Sequence, residues 1–120
     1  MTIRRLKTYT AQTGYVYQYY FVGKRAALAG DAEAPSTEYI FDVSADRKTT
    51  FAVSIFLQPQ ALAEWAAARG RNLSGPEQYA AAKLRLMQAF DEIPDMLHDV
   101  RRLRLDAELL LVLLESIGVD

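Results

Sequence analysis

Cysteine is absent from this chain, histidine occurs once, and neither sign of charge is in excess, with 14 Lys and Arg against 15 Asp and Glu. Without cysteine there is no disulfide, no thiolate metal site, no iron–sulfur ligation and no cysteine nucleophile. A lone histidine would have to serve any catalytic triad, and no serine sits in a Gly-x-Ser-x-Gly elbow. The glycines form neither a Walker loop nor a dinucleotide fingerprint, so no cofactor is predicted. A net charge of −1 creates no global field towards nucleic acid or an anionic membrane. The most apolar run, Leu109 to Leu114, falls far short of the roughly 18 residues that a membrane span needs. Met1-Thr2-Ile3-Arg4-Arg5-Leu6-Lys7 starts with charge but leads into no apolar stretch, so a secretory signal is not expected and a cytoplasmic location is.

What is present describes a folding chain. Its 120 residues are 51% hydrophobic and 24% charged, enough for one domain over 1–120 that buries about two-thirds of its unfolded surface. Tyr15 to Val22, between Gly14 and Gly23, is dense in aromatic and β-branched residues and reads as a strand. Ile3 to Tyr9 pairs with it as a preceding strand. Residues 25–37, rich in Ala, Gly, Asp, Pro and Ser, are expected to form a long mobile loop. Glu38–Ser44 and Thr49–Phe56 flank Ala45-Asp46-Arg47-Lys48 as a hairpin, with Tyr39, Phe41, Val43, Phe51, Val53 and Ile55 on its core side.

Helical signals follow. Pro59 opens a helix that Gly70 ends, with Leu62, Trp65 and Ala66 on one face. Ser74-Gly75-Pro76-Glu77 has capping-box spacing and starts a second helix to about Asp91, whose inward stripe is expected at Tyr79 or Ala80, Lys83 or Leu84, Met87 and Phe90. After Pro94, Met96, Val100 and Leu103 fit a helix while Leu103-Arg104-Leu105 alternates like a strand; the reading is a short helical turn and then a last strand. Asp106 caps a final helix to about Ile117, stopped by Gly118. The class is therefore α+β: an antiparallel sheet of three to four strands packed against two to three C-terminal helices.

Apolar surface is in surplus. Tyr15, Tyr17, Tyr19 and Phe21 point one way along their strand while Val16, Tyr20 and Val22 point the other. Two helices cover one sheet face, and Leu109 to Leu114 make the final helix apolar all round. Either that helix crosses to the second face, or sheet and helix together form a self-association surface. The second alternative leads: a non-enzymatic, self-associating interaction or accessory module, a homo-dimer or other homo-oligomer or the mate of an unidentified protein. Its interface anchors are expected to be Tyr17, Tyr19, Phe21, Leu110, Leu113 and Leu114.

Other chemistries have weaker support. Nucleic acid could stack on the aromatic sheet, contacted by Arg101, Arg102, Arg104, Arg47 and Lys48. A small apolar ligand could lodge between sheet and helices. Asp95 with His98 or Asp99 has the three- and four-residue spacing of metal ligands on a helix; the preferred reading is that Asp91, Glu92 and Asp95 sit near a helix N-terminus, favoured by its dipole. No metal site is predicted, and nothing singles out a catalytic tyrosine or a partner for Lys83.

Overall fold

The computed structural model describes residues 5–27, 36–96 and 101–120. In chain order the elements are β1 (Lys7–Thr10), β2 (Val16–Ala27), β3 (Ser36–Ser44), β4 (Phe51–Leu57), α1 (Pro59–Arg69), α2 (Gly75–Glu92), β5 (Arg102–Leu105) and α3 (Ala107–Ser116). The fold is α+β, with a sheet whose strands lie side by side in sequence order. β1 to β4 pair antiparallel, whereas β5 joins β4 in parallel. The sheet thus has five strands rather than three or four, and its last pairing differs from the antiparallel expectation. A parallel neighbour needs a crossover, and α1 and α2 supply it. Of the expected loop at 25–37, Arg25 to Ala27 and Ser36 to Thr37 are strand residues, and the segment between them lies outside the described residues.

Turn chemistry sets the register. Between β1 and β2, the Ala11 amide donates to the Tyr15 carbonyl at 2.8 Å and Gly14 adopts φ 95°, a conformation that glycine enters without a Cβ clash. Between β3 and β4, the Asp46 carboxylate accepts from the Lys48 and Thr49 amides, both at 2.8 Å. These amides hold its pKa below the usual carboxylate range. Arg47 is bent into the left-handed region at φ 64°.

Helix ends follow the sequence. Ser74 and Glu77 form a reciprocal capping box, and Arg71 adds two contacts to the Glu77 carboxylate at 3.0 and 3.1 Å. The Arg71 guanidinium and the Ser74 amide together lower the Glu77 pKa to about 2. Asp106 accepts from the Leu109 amide at 2.9 Å to cap α3. α1 has no side-chain cap but starts on Pro59 and ends on Gly70, at φ 72°.

All three helices lie on one face of the sheet. Phe90 of α2 stacks on Tyr17, centroids 4.3 Å apart and planes 9° apart, while Tyr79, three turns earlier, meets Phe21 edge-on at 4.9 Å. α2 buries Ala81, Ala82, Leu86, Ala89 and Phe90, with Tyr79, Leu84 and Met87 only partly covered. The inward arc is therefore centred about one position before the expected stripe, with Ala82, Leu86 and Ala89 in place of Lys83, Met87 and Phe90 at its middle, because small alanines allow close approach to the neighbouring elements. α3 packs against α1 and α2. The crossing of the last helix to the second sheet face does not occur.

Asp91 and Glu92 occupy the last turn of α2, not a helix N-terminus. The dipole does not account for Asp91; its partners do. Its carboxylate accepts from the Tyr9 hydroxyl at 2.7 Å and from the Gln12 amide at 3.0 Å, tying the helix end to the β1–β2 hairpin.

Candidate functional site

Strand alternation fixes the composition of the second sheet face. By register it carries Thr8 of β1, Val16, Gln18 and Tyr20 of β2, and Ser36, Glu38, Ile40, Asp42 and Ser44 of β3. Ala52, Ser54 and Phe56 of β4 and Arg102 and Arg104 of β5 complete it. A bulge between Phe21 and Gly23 sets two residues of β2, Val22 and Gly23, against Ile40, and resets β2 so that Arg25 then stands opposite Glu38. No described helix covers this face.

The face divides along a diagonal. One corner is apolar: Val16 and Val22 are 41% and 38% exposed, with Tyr20 and Ile40 half-buried beside them. Leu6, one residue before β1, is also exposed and falls on this side by continued alternation. Tyr20 lies across the sheet because its hydroxyl donates to Asp42 at 2.7 Å.

The opposite corner is charged and concave. The Glu38 carboxylate accepts from Arg25 Nε at 2.8 Å and from Ser54 Oγ at 2.7 Å, and the residue is only 7% exposed. Burial alone would raise its pKa, but the bonds from Arg25 and Ser54 and the nearby charges of Arg25 and Arg102 outweigh burial and hold it below the usual carboxylate range. The Arg102 guanidinium lies over the Phe56 ring, 5.1 Å from its centroid. Small side chains at Ala27, Ala52 and Ser54 leave a depression of about 550 Å³ between these groups. Arg101 is at its rim, but its guanidinium is 5.9 Å from the Phe51 centroid, and Phe51 belongs to the covered face.

The expected interface anchors are elsewhere. Tyr17 is 1% exposed and Tyr19 is buried, both against Phe90, and Phe21 is half-covered by Tyr79. Leu110, Leu113 and Leu114 are buried where α3 meets its neighbours. Five of these side chains supply the core and have almost no surface to offer a partner, and Phe21 packs against that core partly covered. The residues exposed in their place, Val16 and Val22, were legible as the opposite face of the same strand.

Of the arginines considered for nucleic acid, Arg102 and Arg104 reach the open face through β5, whereas Arg47 and Lys48 are in the β3–β4 turn. The alternating tyrosines that would have stacked bases, Tyr17 and Tyr19, are buried against Phe90 of α2, and among the described residues the rings on the open face with Arg102 and Arg104 are Tyr20 and Phe56. The space between sheet and helices that a small apolar ligand would need holds the Tyr17–Phe90 and Phe21–Tyr79 contacts. Of the metal candidates, His98 and Asp99 lie outside the described residues, and among the described residues no three acidic or histidine side chains gather as ligands would. Compared with protein families, with curated proteins and with solved structures, the chain matches none.

Proposed function

We propose that this chain is a non-enzymatic self-association module, and that the open sheet face, not the aromatic row first expected, receives a second copy. The observation that carries this reading is a sheet covered by helices on one side and, among the described residues, by none on the other, where Val16, Tyr20, Val22 and Ile40 form an apolar corner. Five strands at about 4.8 Å and seven residues at about 3.3 Å give a face of about 24 by 23 Å, or about 550 Å² in projection. Accessible area over a rough face exceeds projection, which brings it within reach of the roughly 800 Å² per partner of a standard interface.

The charge pattern favours one position for the symmetry axis of such a pair. Near a two-fold axis each residue meets its own copy. An axis through the charged corner would set Arg102 and Arg104 against Arg102 and Arg104, whereas one through β2 sets Val16, Tyr20 and Val22 against themselves. The module therefore pairs sheet to sheet about the apolar corner. Light scattering at micromolar concentration should give twice the chain mass for the natural protein and the chain mass for Val22→Glu, with unchanged circular dichroism. A natural protein that is monomeric across that range overturns the proposal.

A further inference from the structure

The β1 edge of the sheet holds a cluster of its own on the helix side, and we infer that Lys83 is a modification site there: its amine takes up carbon dioxide as a carbamate that Lys7 holds. Lys7 opens β1 opposite Tyr19, and Lys83 stands about one turn after Tyr79 on α2. Lys7 shares a strand face with Tyr9, whose ring meets Phe90 of α2, so its side chain is on the side of the helix. There the two amino groups are hydrogen-bonded to each other. An ammonium has three donors and no acceptor, so a bond between two amines requires one of them to be neutral. Burial disfavours the charged form, and Lys83 is half-buried while Lys7 is exposed. Lys83 is therefore the neutral partner and Lys7 the donor. The bond from Lys7, then burial, then the Lys7 charge hold the Lys83 amine below the usual lysine range.

Among the described residues nothing beside the pair supplies a negative charge, and neither amine has an ion pair. The carboxylates of α2 are at its ends: Glu77 is bonded to Arg71, Asp91 to Tyr9 and Gln12, and Glu92 is exposed. Asp91 lies about two turns beyond Lys83. The other titratable groups around the pair are Tyr9, Tyr19 and Tyr79, with Arg5 two residues before Lys7. The bond to Asp91 raises the Tyr9 pKa, and burial followed by the Tyr79 hydroxyl raises that of Tyr19, so both stay neutral. Carbamate formation fits this arrangement. The lone pair of the Lys83 nitrogen forms a bond to the carbon of carbon dioxide, one C–O π pair moves onto oxygen, and an N–H proton leaves to solvent. The carbamate oxygens then accept from the Lys7 ammonium, and the new ion pair ties β1 to α2. An ordinary lysine, with a pKa of about 10.4, is protonated near neutral pH and has no lone pair to react. The cluster is on the opposite side of the sheet from the face proposed for the second copy, so the inference does not rest on that reading.

NMR of the folded chain in isotopically labelled bicarbonate near neutral pH should show a carbamate carbon resonance that is lost in urea and in Lys83→Arg, whose guanidinium stays protonated. Lys7→Gln should reduce the resonance several-fold, whereas Lys7→Arg, which keeps a positive donor, should retain it. Trapping with a trialkyloxonium salt, followed by peptide mass spectrometry of the natural chain, should place the carbamate on the Lys83 peptide whether or not Lys83→Arg folds. Three results overturn the inference: no resonance beyond that of Lys83→Arg, no trapped carbamate on the Lys83 peptide, or a resonance unchanged by Lys7→Gln. Saturable shifts around Lys7 and Lys83 with inorganic phosphate, in a chain that forms no carbamate, would also overturn it, in favour of anion binding.

Discussion

The two faces of this one sheet are made from the same strands, yet one is filled with rings and the other is bonded across its surface. On the helix side Tyr17, Tyr19, Phe41 and Phe90 pack ring to ring at 4.3 to 6.4 Å, and the hydroxyl of buried Tyr39 has no partner among the described residues. On the open side the groups are tied by short polar bonds: Tyr20 to Asp42, Arg25 to Glu38, Ser54 to Glu38. The first face gains its free energy from area removed from water, the second from partners for groups that would otherwise compete with water. A face of the second kind can remain exposed without collapsing, and it can exchange contacts with a partner. Under the proposed self-association, stability and recognition would lie on opposite sides of β2, β3 and β4.

The sharpest way to break that contrast is to remove one side chain from each face. Phe90→Ala takes away the ring stacked on Tyr17 and touching Tyr9 and Tyr19, and should cost about 3 to 5 kcal/mol in urea unfolding. Val22→Thr on the open face should cost within about 0.5 kcal/mol while weakening association. Equal losses at the two positions, measured on the monomeric chain, would mean that the open face is covered and that the division is wrong.

How far the sequence foretold each face follows from the kind of signal each leaves. The hairpin of β3 and β4, the Pro59, Ser74 and Asp106 starts and the Gly70 and Gly118 stops are local events, set by residues a few positions apart, and they were readable. The parallel docking of β5 is a long-range event: Leu103-Arg104-Leu105 announces a strand but not its direction, which the crossover through α1 and α2 decides. The same limit explains why the expected anchors lie in the core. Tyr17, Tyr19 and Phe21 were identified as the larger apolar row, but which row α2 would cover depended on Phe90 and Tyr79 reaching across more than 50 residues. The Glu38 site was hidden for another reason. Arg25, Glu38, Ser54 and Arg102 are far apart in sequence, belong to four strands, and meet only because the bulge after Phe21 resets the register of β2.

Tyr9→Phe sharpens the contrast at the sheet's edge, where a polar bond joins the covered side to its helix. It deletes the hydroxyl that donates to Asp91 and leaves the ring against Phe90. A loss of about 1 to 1.5 kcal/mol in urea unfolding is expected, well below the Phe90→Ala loss. Arg47→Gly should act in the opposite direction. The turn holds Arg47 at φ 64°, where a side chain costs up to about 1 to 2 kcal/mol, and glycine's greater freedom in the unfolded chain returns part of that. A gain of about 0.5 to 1 kcal/mol is therefore expected. A loss would mean that the Arg47 side chain contributes more to the turn than its backbone strain removes.

The smallest effect belongs to the open face and is read through pH. Glu38 is ionised in the folded chain with its pKa below that of an unfolded glutamate, because the bonds from Arg25 and Ser54 outweigh the cost of burial. A carboxyl group with a depressed folded pKa adds stability above its unfolded pKa and loses it as pH falls through the folded value. The natural chain should therefore lose part of its stability as pH drops from about 4.5, and Glu38→Gln, which keeps a neutral acceptor for Ser54, should remove that part of the slope while leaving the slopes from Asp46 and Glu77 in place. A Glu38→Gln chain with the full natural pH slope would show that Glu38 is not charged when buried and that the bonds from Arg25 and Ser54 do not outweigh the cost of burial.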